Sequence, residues 1–181
     1  FTSNPDMKLD LGKIYKSADK YVQKIVIPSK KEVKNILLWR PSDISEIEEI
    51  TSKEGDWIIL IKSATNVLKG DNFVFVYPEL LQNKTIVRRA EVITSEILEK
   101  KDLDFEKISS KINILLKKTR DKIKSRGSVV NEITTKGDFI KKIRDYIKTN
   151  QNNKYLLEVI SLKNSKTAEA IIVELNITNL K

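Results

Sequence analysis

Lysine and arginine are concentrated in two groups near the middle of the sequence. The first group consists of Lys84, Arg88 and Arg89, which follow an apolar segment. The second lies within residues 117–126 and contains Lys117, Lys118, Arg120, Lys122, Lys124 and Arg126. Cationic side chains at this density hold phosphate groups and do not read base edges. The two groups therefore indicate a surface that binds a polyanion.

The distribution of charge supports this interpretation. The net charge is +9, and residues 84–126 hold 13 Lys/Arg against 7 Asp/Glu. Residues 1–70 hold 12 against 10, and residues 127–181 hold 9 against 6. A basic middle between nearly balanced ends is typical of contact with nucleic acid through one segment. The alternative is that these lysines only solvate exposed faces.

The sequence favours structured RNA as the polyanion. No aromatic ladder of the kind that stacks single strands accompanies the basic residues in the sequence. Structured RNA, recognised by its shape and backbone, therefore fits better than sequence-specific DNA binding.

The residue types argue against catalysis. The chain has no histidine and no cysteine, which excludes disulfides, thiolate metal sites, imidazole bases and cysteine nucleophiles. The segment SRGSVV, residues 125–130, lacks the glycines and the Gly-Lys-Ser/Thr ending of a phosphate-binding loop. Carboxylate-bound magnesium or a Ser–Lys pair stays formally open. We expect no enzyme activity, no catalytic or metal-binding residue, no cofactor and no small-molecule substrate.

Membrane and targeting signals are weak in this sequence. The longest apolar runs, Trp57–Ile61 and Ile171–Val173, are far shorter than a membrane span, so we expect no membrane partner. The sequence begins with Phe1 and not with methionine. Removal of a targeting peptide would explain this start, and so would cloning.

The elements of the first half come from apolar periodicity. Residues 41–55 have the isoleucine spacing of a helix that ends at a glycine. Residues 56–64 and 72–77 are strands joined by a turn at Gly70, which predicts an antiparallel pair. With a third apolar segment, they define a domain over residues 55–93, a three-stranded antiparallel sheet with a short helix. Residues 1–54 are interpreted as an N-terminal extension.

The second half is predicted as a connector followed by a second domain. Residues 94–109 lack proline and glycine and separate their apolar residues with charges, which favours a helical linker. The C-terminal domain, residues 110–181, is predicted to contain a strand over residues 111–118, a basic loop, a helix over residues 134–150 and a hairpin over residues 154–178. The expected fold class is α+β, with two small α/β domains joined by the linker; the second has the order β-loop-α-β-β.

Three stretches also show a family resemblance. Residues 58–96 contain an apolar strand, LKGDN and a Val-rich strand, residues 112–133 contain a basic loop before Gly-Ser-Val, and residues 153–177 form the closing hairpin. They resemble the bacterial-type ribosomal large-subunit protein nine, in an organellar form with an added N-terminal extension. The matching positions in the first stretch are Lys69, Gly70, Asp71, Val76, Asn83 and Ile86. Glu79, Leu80 and Gln82 depart from the family's Gly-Tyr and Arg.

The resemblance implies a structural constituent of the large ribosomal subunit of a mitochondrion. It would bind large-subunit rRNA through its N-terminal domain, beside neighbouring ribosomal proteins in the matrix, with the cytoplasm and plastid as alternative locations. The residues carried over as RNA contacts are Lys69, Asn83, Lys84, Arg88 and Arg89. Charge alone adds Arg120, Lys122, Lys124 and Arg126.

Two alternatives stay open. One is a free-standing nucleic-acid-binding protein without sequence specificity, viral or nucleoid-associated. The other is an interaction module that binds no nucleic acid and carries its lysines only for solubility.

Overall fold

The fold is α+β, with helices and several small sheets. The structure, a computed structural model, describes residues 2–3, 11–26 and 36–180, with the side chains of residues 2, 3 and 51 left aside. The chain divides into two compact units, Phe1–Asn83 and Lys84–Lys181. The predicted boundary at residue 93 differs from this division, because residues 84–93 join the second unit.

The N-terminal unit contains two helices and a four-stranded sheet. Its elements are β1 (Thr2–Ser3), α1 (Leu11–Val26), β2 (Leu37–Leu38), α2 (Pro41–Thr51), β3 (Trp57–Ser63) and β4 (Val74–Gln82). The strand order is β1-β3-β4-β2, with β2 parallel to β4 and the other pairs antiparallel.

The two helices pack on one face of this sheet. Val26 of α1 is fully buried and packs with Val74 of β4. Ile14 of α1 and Ile47 of α2 pack with Ile59 of β3. Residues 11–26 and 36–54 therefore supply part of this core, and the predicted extension over residues 1–54 is wrong for these described parts. An amphipathic helix needs such a face to cover its apolar stripe.

The C-terminal unit contains more strands than the N-terminal unit among the described residues. Its elements are β5 (Thr85–Val87), β6 (Val92–Glu99), a 3-10 turn (Lys100–Asp102), α3 (Phe105–Ser125), β7 (Ile133–Thr135), α4 (Phe139–Thr149), β8 (Lys154–Ser161), β9 (Ser165–Lys166) and β10 (Ile171–Asn179). The main sheet has the order β6-β8-β10-β7, and β5 pairs with β9 in a small second sheet. Helices α3 and α4 contribute to one large core with this sheet.

The two units repeat one topology. Leaving out β5 and β9, each runs strand, helix, strand, helix, strand, strand, and each places the strands in the order first, third, fourth, second. The directions agree as well, since only the second and fourth strands are parallel. The register also agrees. Val76 lies opposite Ser63 in one hairpin, and Val173 lies opposite Ser161 in the other.

Several sequence predictions are confirmed. The α+β class, the helix from Pro41 and the antiparallel pair β3–β4 are present. So are the helix α4 and the closing hairpin β8–β10. These segments carry a clear single period, so local pattern and tertiary packing agree on them.

The predicted helical linker over residues 94–109 is wrong in its first part. Residues 92–99 form β6, which pairs antiparallel with β8 and buries Ile93 and Leu98. A register irregularity between Val92 and Thr94 breaks the strict alternation that would have identified a strand. The charges that suggested solvent exposure have partners: Glu96 receives a hydrogen bond from Lys118 of α3 at 2.5 Å.

The predicted strand 111–118 and basic loop 119–127 are also wrong up to Ser125. Both lie within α3, whose buried residues are Ile108, Ile112, Leu115, Thr119 and Ile123. Asp104 caps the helix by accepting a hydrogen bond from the Lys107 amide at 2.8 Å. The short run INILL fits both a strand and a helix. The helical period becomes clear only over the full stretch from Ile108 to Ile123.

Substitution of two isoleucines that are two residues apart distinguishes the helix from the predicted strand. In α3, Ile112 is 5% exposed and Ile114 is 44% exposed, whereas in a strand both would share one face. We expect Ile112→Ala to lower the free energy of unfolding by about 2–5 kcal/mol. The matched Ile114→Ala should cost less than about 1 kcal/mol. Urea unfolding followed by circular dichroism measures both, and equal losses would contradict the helix.

Candidate nucleic-acid interface

The positive charge of the protein belongs to the C-terminal unit. Residues 84–181 hold 22 Lys/Arg and 13 Asp/Glu, whereas residues 1–83 hold 12 of each. The surplus of nine therefore falls entirely within the second unit. An excess of this size on one domain attracts polyanions and increases their rate of association.

Helix α3 carries many of these cations. Its buried stripe faces β6 and β8, which turns the remaining positions of the helix towards solvent. The last turn contains Lys122 and Lys124, where cations are favoured by the partial negative charge of the helix end. Arg126 is the C-cap residue, and Gly127 follows with a φ of +97°, a conformation that glycine adopts without strain.

Arg88 and Arg89 of the first basic group lie on a short turn between β5 and β6. The amide of Arg88 donates to Oε2 of Glu91 at 2.9 Å, and the amide of Glu91 donates to the Arg88 carbonyl at 3.2 Å. Ala90 has a left-handed φ of 61°. Its amide donates to the Ser161 carbonyl at 2.8 Å, which fixes the turn to the end of β8. The side chains of Arg88 and Arg89 are exposed.

Arg126 joins the two basic groups. Its guanidinium donates to the Ile86 carbonyl at 3.2 Å and forms an ion pair with Oε1 of Glu91 at 2.6 Å. Two segments about forty residues apart in sequence therefore meet at one carboxylate. We call this place the basic corner and define it as Arg88, Arg89, Lys122 and Arg126 around Glu91.

The electrostatics of the corner favour an ionised Glu91. Partial burial by itself would raise the pKa of this carboxyl group, but the amide of Arg88 and the guanidinium of Arg126 outweigh it. Together with the charge of Lys122, they hold the pKa of Glu91 below its ordinary value. One carboxylate therefore faces several cations, and the corner keeps a positive excess.

The structure assigns different roles to the predicted contact residues. Arg88, Arg89, Lys122 and Arg126 meet in the corner, and Lys84 is exposed one strand earlier. The Lys84 carbonyl accepts hydrogen bonds from the amide and the hydroxyl of Thr167. Because Arg126 is largely occupied by Ile86 and Glu91, it positions the turn more than it offers a free cation.

Arg120 and Lys124 lie apart from the corner. They are exposed and line a depression of about 230 Å³ together with Asp121 and Asn131. On α3, Arg120 and Lys124 lie on one side of the buried stripe, whereas Lys118 and Lys122 lie on its other side. Arg120 and Lys124 can extend a basic surface around the helix end.

The other two predicted residues belong to the N-terminal unit. Lys69 is exposed in the turn between β3 and β4. Asn83 is buried, and its amide group donates to Oδ2 of Asp56 at 2.9 Å. Its backbone amide donates to the Asp56 carbonyl at 2.7 Å. This side chain therefore links the start of β3 to the end of β4.

Sequence reasoning missed Glu91 and Asn164. The side chain of Asn164 accepts a hydrogen bond from the Arg89 amide at 2.8 Å, across 75 residues of sequence. Both residues act by holding the backbone that carries the arginines. No local pattern marks such long-range partners, because they become neighbours only when β6, α3 and β8 assemble.

The described residues bring together no group of three or more acidic side chains that could hold a metal ion. Within residues 11–26 and 36–180, no helix has the length and apolar character needed to cross a membrane.

Comparison with known proteins gives no match to any family model, curated protein or solved structure.

Glu91→Gln tests the electrostatic bridge of the corner. We expect the free energy of unfolding near pH 7 to fall by about 1 kcal/mol, because a charge-assisted pair in a partly exposed site is lost. The folded pKa of Glu91 lies below its unfolded value. Its stabilisation is therefore present above the unfolded pKa and is lost as the pH falls through the folded pKa.

Urea unfolding from about pH 7 down to about pH 3 measures this effect, and the gap between wild type and variant should close. Glu132→Gln is the control, since Glu132 is exposed and has no ion pair among the described residues. A gap that stays constant with pH would contradict the bridge.

Proposed function

We propose that this protein binds RNA through its phosphate backbone and that the basic corner is the main contact. The observation that carries the proposal is the Arg126–Glu91 contact, which brings two basic segments together in the unit that holds the whole positive surplus. The protein is proposed to be a binding protein without catalytic activity.

The exposed cations of the corner, and Lys84 just before β5, suit phosphate contacts. Among the residues that the structure describes, the side chains of Lys84, Arg88 and Arg89 form no ion pair. Each can replace counterions on a nucleic acid, which supplies affinity without sequence specificity. Guanidinium groups also hold phosphate oxygens with paired hydrogen bonds. Exposed arginines on a turn held by Glu91 are therefore positioned before binding.

The narrower form of the proposal is a structural constituent of the large ribosomal subunit of a mitochondrion. Its partners would be large-subunit rRNA and neighbouring ribosomal proteins, and its place would be the mitochondrial matrix. The resemblance of residues 58–96 and 153–177 supports it, together with the basic surface of the C-terminal unit. Lys69 and Lys84 remain accessible for RNA contact in this form.

A free-standing nucleic-acid-binding protein is the second candidate, and two observations favour it. The stretch 58–96, which carries the first part of the resemblance, is divided between the two units at Asn83. The resemblance also places a strand and a basic loop at residues 112–125, but these residues lie in α3. Sedimentation separates the candidates. The ribosomal form travels with large subunits from its own source, and the free-standing form stays at the top of the gradient.

Charge reversal at the corner tests the common part of both candidates. We expect Arg88→Glu combined with Arg89→Glu to weaken binding of a short RNA hairpin. The slope of log K against log salt should become shallower by about 2, because two phosphate contacts are lost. Fluorescence anisotropy at several salt concentrations measures both quantities.

The matched control reverses Lys136 and Lys141, which are exposed in the same unit away from the corner. Lys142 is unsuitable as a control because its ammonium group donates to the Leu175 carbonyl. Equal weakening by both double variants would show that binding depends on net charge alone and that the corner is not the contact.

A further inference from the structure

An aromatic row lies in the N-terminal unit on the sheet face opposite helices α1 and α2. It consists of Phe73, which directly precedes β4, and of Phe75 and Tyr77 in β4, which alternate with the buried Val74 and Val76. Their exposed fractions are 60%, 56% and 38%. β4 is an interior strand of the sheet, between β3 and β2, so the row crosses the middle of this face.

The repeated topology shows that the fold does not require this row. Because Val76 and Val173 occupy the same register position, Phe75 and Tyr77 correspond to Ile172 and Glu174 of β10. The second unit builds the same strand without an aromatic side chain at either position. Exposed Phe and Tyr cost solubility and add little to stability, so their presence in the first unit points to binding.

The geometry of the row suits bases. Alternate residues of a strand lie about 7 Å apart on one face, so Phe75 and Tyr77 can each stack a separate, splayed base. The residue opposite Tyr77 is Lys62, whose ammonium group pairs with Glu79. That hydrogen bond raises the pKa of Lys62. Lys69 lies exposed in the turn that leads into the row.

The size of the row argues against a protein partner. From the usual areas of aromatic side chains, the three exposed portions add up to roughly 300 Å². A stable protein interface needs about 800 Å² on each side. Two or three stacked bases need only the area that the row provides, and the polyanion attraction comes from the C-terminal unit of the same chain.

We infer that the aromatic row of β4 stacks unpaired bases of a single-stranded RNA segment. This inference rests on the proposed RNA binding and adds the class of ligand that the N-terminal unit would take, which is unpaired nucleotides. The sequence predicts a strand over residues 72–77 and no aromatic ladder, so it does not predict a stacking platform. Only the exposure of Phe73, Phe75 and Tyr77 in the folded sheet indicates one.

The test compares two RNAs with the full-length protein. The probes are a labelled oligouridylate, which is unstructured, and a fully paired RNA duplex. We expect Phe75→Ala combined with Tyr77→Ala to weaken oligouridylate binding at least about 30-fold, from two lost stacking contacts. Duplex binding and the salt slope should stay unchanged, because stacking releases no counterions.

Two further variants control for folding and for exposed aromatic surface in general. Phe75→Tyr combined with Tyr77→Phe keeps both rings and should retain full oligouridylate affinity. Phe105→Ala removes an aromatic side chain that is 59% exposed in the other unit and should change neither affinity. Loss of affinity in the ring-preserving variant, or an equal loss in Phe105→Ala, would overturn the inference.

The remaining outcomes separate this inference from the proposed function. If the alanine pair binds oligouridylate normally while Arg88→Glu with Arg89→Glu binds it weakly, the row is not a stacking platform and RNA binding stands. If neither pair changes binding, both ideas fail. Light scattering covers a third outcome. If the wild type is a dimer, the Phe75→Ala and Tyr77→Ala double variant is a monomer, and RNA affinity is unchanged, the row is an interface between two copies.

Discussion

The structure of each unit depends on one constraint: two helices must bury their apolar stripes on a sheet whose two interior strands form a hairpin. The hairpins β3–β4 and β8–β10 share one register, with a serine opposite a valine in each. Helices cover the valine face, so the opposite face of the sheet is left for other uses. Within this constraint, the N-terminal unit carries its aromatic row on the face opposite the helices, and the C-terminal unit carries cations on the outer side of α3.

The repeat therefore permits the two units to differ in function while they keep one topology. The C-terminal unit concentrates the positive charge and organises part of it around Glu91. The N-terminal unit has balanced charge and exposes aromatic rings instead. Phosphate contacts attract any nucleic acid over distances near the Debye length, whereas stacking acts only at contact and selects unpaired bases. In the proposed function, the two units would therefore recognise different features of RNA, its phosphates and its unpaired bases.

The sequence predicted the elements that have one clear period. The hairpins, the helix from Pro41 and α4 are of this kind. It failed at β6 and α3, because each supplies the partners of the other. Glu96 of β6 forms an ion pair with Lys118 of α3. Charged residues that the sequence pattern predicted to face solvent therefore have partners within the fold. The density of Lys and Arg identified the cations of the corner, but not Glu91, which joins them only in the folded chain.

Lysine acetylation footprinting of the full-length protein tests the central claim, that RNA phosphates lie on the basic corner. The reactivity of each lysine would be compared by mass spectrometry with and without a short RNA hairpin. We expect Lys84 and Lys122 to lose reactivity when RNA is bound, while Lys136 and Lys141 react as before. Equal reactivity of Lys84 and Lys122 in both states, or protection confined to lysines of the N-terminal unit, would contradict the account.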